Sequence, residues 1–150
     1  MKKISILLFL VVLGLGAFAQ IKDPVSFKYE AVKKAGNTYE LIITATVPAP
    51  WHIYSQNTGK NGPIPTTITF KKNPLLTLVG KPKELGKLEK MFDKNFNTNV
   101  LYYADQVQFV QTITLKGNIK TNISGSVNYM VCDDSQCLPP TTKSFDIKLL

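Results

Sequence analysis

The chain has 150 residues, 44% of them apolar and 19% charged, with two cysteines, one histidine and a formal net charge of +8. That length fits a single domain, since a domain takes roughly 100–200 residues, and so apolar a composition excludes a disordered chain. Every basic residue is a lysine; without the arginine fork that reads phosphates and guanine edges, and without a clustered lysine stripe, no nucleic-acid partner is expected.

The first nineteen residues have the three parts of a secretory signal peptide. Lys2 and Lys3 give a positive start, an apolar run follows over residues 4–13, and Ala17 and Ala19 place small residues before a cleavage site at Gln20. The apolar run is shorter than the ~20 residues that span a bilayer, and no second candidate lies downstream. Residues 20–150 are therefore expected to form one exported domain. It would not span a membrane after signal removal, and it would work in the periplasm, where disulfides persist.

From there the chain reads as strands. A short candidate over residues 25–31 precedes the turn Ala35-Gly36-Asn37. Tyr39, Leu41, Ile43, Ala45 and Val47 then form an apolar row on one face of a sheet, with Glu40, Thr44 and Thr46 opposite. Residues 56–65 hold Asn57, Gly59, Asn61, Gly62, Pro63 and Pro65, a composition that predicts an irregular loop. Shorter candidates lie over residues 66–70, 75–79 and 100–103. Residues 83–91 make the best helical attempt, and Gly86 weakens it.

Residues 92–99 are polar yet hold Phe92 and Phe96. Such aromatics are expected to pack back on the core, the alternative being a loop that covers something. Val107, Phe109, Ile113 and Leu115 form a second row, interrupted by Gln111. Ile123, Gly125, Val127, Tyr129 and Val131 form a third, and Phe145, Ile147 and Leu149 a fourth. These patterns predict an all-β, immunoglobulin-like antiparallel β-sandwich of about seven to nine short strands, with a closed barrel as the alternative.

The chemistry concentrates in residues 129–140, Tyr-Met-Val-Cys-Asp-Asp-Ser-Gln-Cys-Leu-Pro-Pro. A disulfide between Cys132 and Cys137 would close a loop of six residues, worth about 2 kcal/mol as a staple against ~4.7 for a loop near 100 residues. So weak a clamp leaves a redox centre and a structural bridge both open. Asp133 and Asp134 put negative charge beside the sulfurs, which disfavours a thiolate if the carboxylates face them. Two Cys and a single His, 80 residues away from the first Cys, fall short of a zinc or blue-copper set, so neither metal nor cofactor is expected.

This segment, a strand leading to Cys, an acidic loop, Cys, an apolar residue and Pro-Pro, resembles the N-terminal periplasmic domains of the thiol:disulfide interchange protein DsbD. Trp51-His52-Ile53-Tyr54-Ser55 and the stretch from Phe92 to Asp105 are similar to that family's aromatic strand and its cap loop. The resemblance implies a cysteine pair that shuttles electrons beneath an aromatic cap, with Phe96 as the cap and Tyr54 and His52 flanking the pair. It implies that Cys137 meets the partner sulfur and Cys132 resolves the mixed disulfide. The implied partners are periplasmic thioredoxin-like proteins, a separate membrane electron donor, or both, since the chain stops at Leu150 with no membrane domain after it. Where the family cap carries acidic residues this chain has Lys94 and Asn95, and its sulfur spacing is one residue shorter. The competing expectation is a non-catalytic exported binding module with a structural Cys132–Cys137 bridge.

Overall fold

A computed structural model describes residues 22–59 and 61–149; the signal-peptide expectation lies outside them. The described residues form eleven strands and no helix. Three hydrogen-bonded sheets result. The first orders β1 (Ser26–Lys33), β2 (Thr38–Val47), β8 (Asp105–Leu115) and β5 (Leu76–Gly86) as β1-β2-β8-β5. The second orders β10 (Val131–Cys132), β3 (His52–Tyr54), β7 (Thr98–Tyr103) and β6 (Glu89–Asp93) as β10-β3-β7-β6. The third pairs β9 (Thr121–Tyr129) with β11 (Thr141–Leu149) and β4 (Thr67–Phe70) in the order β11-β9-β4. All pairings are antiparallel.

The fold is the immunoglobulin-like sandwich that the alternation predicts. The rows of β2, β8, β9 and β11 converge on one core that includes Leu41, Ile43, Phe109, Ile113, Ile123, Val127 and Ile147. Burying such side chains supplies ~1.5–3 kcal/mol each, which is what holds the sheets face to face. The strand count exceeds seven to nine because the second sheet uses short strands. β3 has three residues and β10 two, too few for an alternating pattern to register.

Gln111 interrupts its apolar row for a structural reason. It is 2% exposed, and its amide donates to the carbonyls of Val79 (3.0 Å) and Thr112 (2.7 Å). The β5–β8 register slips between Val79 and Lys83, where Gly80 adopts a φ of 69°. A bulge takes a carbonyl out of the ladder, and the buried Gln111 amide meets it.

Two further segments differ from expectation. Residues 83–91 are extended, running from β5 into β6. Residues 92–99 are not a loop throughout: β6 and β7 form a hairpin, with Phe92 paired to Asn99 and Asp93 to Thr98. Phe92 is 56% exposed and does not return to the core.

The irregular stretch after β3 is tied down by polar contacts. Glu84 on β5 accepts hydrogen bonds from Ser55 Oγ (2.6 Å), the Gln56 backbone N–H (2.6 Å) and Tyr103 Oη (3.1 Å). Thr66 Oγ1 donates to the Tyr54 carbonyl (2.6 Å), and Thr58 Oγ1 accepts from the Leu101 N–H (3.1 Å). This anchoring holds the short β3 in place, and β3 carries the site.

Candidate functional site: a disulfide hairpin under an aromatic cap

Alternation splits the second sheet into two working surfaces. Ile53, Val131 and Tyr103 turn inward and belong to the main core. Their neighbours turn the other way: His52 stands opposite Cys132 in register, and Tyr54 opposite Tyr102. Tyr54, Val100 and Cys132 form a second, small buried cluster, with Met91, Phe96, Tyr102, Met130 and Cys137 packed against it.

Cys132 and Cys137 are disulfide-bonded. β9 belongs to the third sheet and β10 to the second, so the chain changes sheets at Met130, just before the first sulfur. It then reverses in a tight turn. Asp133 N–H donates to the Gln136 carbonyl and Leu138 N–H to that of Val131, both at 2.9 Å, and the two cysteines bridge between them. The sulfurs are unequal in exposure. Cys132 is 0% exposed, whereas Cys137 is half-buried.

The Asp133 carboxylate is committed to the turn. It accepts from the backbone N–H groups of Ser135 and Gln136 and from Ser135 Oγ, each at 2.8 Å. Those hydrogen bonds, Ser135 Oγ foremost, hold its pKa down at about 2. The folded pKa lies below the ordinary 3.8, so its contribution to the turn is complete above that value and is lost as pH falls through about 2. A carboxyl NMR titration is expected to find Asp133 near 2, moving back toward 3.8 in Ser135→Ala.

Above the sulfurs lies the tip of the β6–β7 hairpin, Lys94-Asn95-Phe96-Asn97. Asn97 takes a φ of 53°, a left-handed position that asparagine tolerates better than most side chains. Phe96 meets Tyr54 edge-on with ring centres 6.4 Å apart, a favoured aromatic geometry. Asn95 Nδ2 lies 3.9 Å from Cys137 Sγ. Asp93 is the buried anchor of this tip: Oδ1 accepts from the Asn95 N–H (2.8 Å) and Oδ2 from Tyr54 Oη (2.7 Å).

Tyr54 is fully buried, and burial together with Asp93 pushes its phenol far above the ordinary 10. It therefore stays protonated and donates. His52 Nε2 lies 3.3 Å from the same hydroxyl, and its ring tilts against Tyr102 at 4.9 Å between centres. Burial lowers the pKa of His52, opposed by the negative charges of Asp93, Asp134 and Asp133. Asp134 is exposed and lines, with Asp133, a groove of about 260 Å³ facing Met91, Phe92 and Asp93.

All seven residues that the sequence points to thus come together: Cys132, Cys137, His52, Tyr54, Phe96, Asp133 and Asp134. Sequence reasoning missed Asp93, which links cap and aromatic strand. No local pattern marks it, because its partner Tyr54 is 39 residues away. Among the described residues no three His, Cys, Asp or Glu side chains are arranged to hold a metal ion. No helix among them is long and apolar enough to cross a membrane.

A disulfide held in a surface hairpin on a β-sandwich, one sulfur half-open and the other sealed under an aromatic tip, fits a thiol–disulfide exchange domain. Residues 19–149 match the family described as the N-terminal domain of the thiol:disulfide interchange protein DsbD, and the chain belongs to that family. Two solved structures share the fold. The N-terminal periplasmic domain of ScsB from Proteus mirabilis has a TM-score of 0.62 and 14% identity, covering 83% of this chain and 46% of that one. The reduced DsbD N-terminal domain of Neisseria meningitidis has a TM-score of 0.52 and 16% identity, covering 81% of this chain and 83% of that one. This chain thus spans just under half the length of the Proteus domain. No curated protein matches its sequence.

Proposed function

We propose that the protein is a periplasmic carrier that passes electrons between protein thiols through Cys132 and Cys137. The observation that supports this most is the unequal exposure of the two sulfurs, Cys132 sealed and Cys137 half-open beside a hairpin tip. In the reduced state the Cys137 thiolate attacks a partner disulfide and one partner sulfur leaves as thiolate. Cys132 then attacks Cys137, the Cys132–Cys137 bond re-forms, and the second partner sulfur leaves with the electron pair. The protein is oxidised by two electrons and the partner reduced by two. The reverse sequence reloads the carrier from a dithiol donor.

Phe96, packed on the cluster that buries Cys132, and Asn95, beside Cys137 Sγ, act here as the cover over the pair, yielding when a partner docks. The partners are thioredoxin-like proteins of the periplasm, a membrane electron donor, or both. The competing reading, a structural clasp in a binding module, draws on the complete burial of Cys132.

A redox titration in glutathione buffers, read by thiol alkylation and mass, separates the two. The carrier is expected to have a midpoint between roughly −120 and −270 mV, the range of exchange proteins. A bridge still oxidised below about −300 mV would return the structural reading.

A further inference from the structure

His52 is the sole histidine of the chain, and the carrier cycle just described gives it no task. It is 6% exposed. Histidine is the side chain whose ordinary pKa lets it take up and release a proton near neutrality, and this residue is the cross-strand partner of Cys132, which carries a reacting sulfur. Side chains opposite each other in antiparallel strands have Cβ atoms about 4.5–5.5 Å apart. His52, Tyr54 and Cys132 share one face of the sheet.

The hydrogen-bond chain fixes which ring nitrogen is free. A tyrosine hydroxyl has one proton to give, and Tyr54 donates it to Asp93 over 2.7 Å. The contact of His52 Nε2 with that hydroxyl, at 3.3 Å, therefore requires the proton to be on Nε2. Nδ1 is left with its lone pair. We propose that His52, through Nδ1, is the base that takes the proton from Cys132 when that sulfur closes the disulfide, a role that rests on the exchange reading above.

The step balances. With Cys137 joined to a partner sulfur, the Cys132 thiol gives its proton to Nδ1 and its sulfur attacks Cys137 Sγ. The Cys132–Cys137 bond forms, the bond from Cys137 to the partner breaks, and the partner leaves as thiolate. The proton passes from the imidazolium to solvent. A thiol buried as deeply as Cys132 has its thiolate disfavoured by desolvation, so a neighbouring base matters more here than at an exposed cysteine.

His52 touches Tyr54 on β3 and Tyr102 on β7, and the negative charges that act on it are those of Asp93 on β6 and of Asp133 and Asp134 in the turn after β10. Burial outweighs the three carboxyl groups and keeps the ring neutral at pH 7, as a base must be.

Two measurements test this. In the first, the reduced protein is mixed with glutathione disulfide, and the Cys137–glutathione adduct is followed by acid quench and mass. In wild type the adduct is expected to resolve at a rate that falls below an inflection under pH 6.5, where His52 takes up a proton. In His52→Gln, whose amide keeps a donor toward Tyr54 but offers no base, the adduct is expected to form at the wild-type rate. It should then persist about tenfold longer at pH 7, with the inflection gone. An unchanged lifetime and profile overturns the assignment, as does an equal slowing of adduct formation and resolution, which marks a merely structural role. A wild-type protein that forms no adduct fails the exchange reading itself.

The second measurement needs no variant. The single histidine is expected to show Nε2–H and a bare Nδ1 in long-range ¹H–¹⁵N spectra. A proton found on Nδ1 removes the base.

Discussion

Cys132→Ala is expected to leave a folded protein that accumulates a stable mixed disulfide at Cys137, whereas Cys137→Ala accumulates none. The asymmetry follows from burial. Cys132 is sealed and Cys137 half-open, so in the proposed cycle an incoming disulfide is expected to reach the second sulfur and the first to release it. The fold survives because the bridge closes a short loop. Losing it costs about 2 kcal/mol, against the ~5–15 kcal/mol that a domain has in hand. The alanine also keeps the Cβ in the cluster with Tyr54 and Val100. Mass spectrometry after incubation with glutathione disulfide, beside a thermal melt, checks both halves. Equal trapping by the two variants, or a Cys132→Ala protein that is folded but inert, would remove the division of labour between the sulfurs.

Gly125→Ala should be the most damaging single-methyl change, with the redox chemistry untouched at its source. Gly125 lies in β9, paired with Phe145 on one side and Phe70 on the other. A Cβ there would stand 2.3 Å from the Thr69 carbonyl oxygen and 2.5 Å from Phe145 Cζ. The phenyl ring could swing aside, but the Thr69 oxygen is backbone and moves only if β4 lifts from β9. Overpacking of this kind costs typically 1–3 kcal/mol and occasionally more; the blocked backbone puts Gly125 at the top of that range. A loss of about 3 kcal/mol lowers Tm by on the order of 10 °C. Gly59→Ala is the control: its Cβ meets nothing within 4 Å, and the change is expected to stay within about 0.5 kcal/mol. A Gly125→Ala melt matching that of Gly59→Ala would show that β4 is looser than its pairing implies.

The sandwich is legible in the sequence wherever a strand has one wet and one dry face. The rows of β2, β8, β9 and β11 repeat every second residue, broken in β8 by Gln111, and each apolar member of a row lies in the core. β5 is harder to see because it is an edge strand with little inside: residues 77–83 are exposed apart from the half-buried Pro82, so no period of two survives. The same logic divides the site. The cysteines stand out as residue types and Phe96 as an aromatic in a polar stretch, whereas Tyr54 and His52 are marked by the resemblance of their strand to the family's aromatic strand. Asp93 looks like any polar residue near a turn, and only the folded chain brings it to Tyr54. The acidic pair is a subtler case. Sequence places both charges beside the sulfurs, but the folded turn engages the Asp133 carboxylate with its own backbone, leaving Asp134 exposed on the groove.

The residues between which β3 and β10 alternate have opposite allegiances. Ile53 and Val131 grip the interior while His52 and Cys132, one step along the same strands, face away from it. Opening and closing the sulfur bond therefore asks nothing of the main interior packing, so a carrier built this way should melt as one unit in either oxidation state. The outward side can also be re-specified for a new partner, residue by residue, while the scaffold beneath stays as it is.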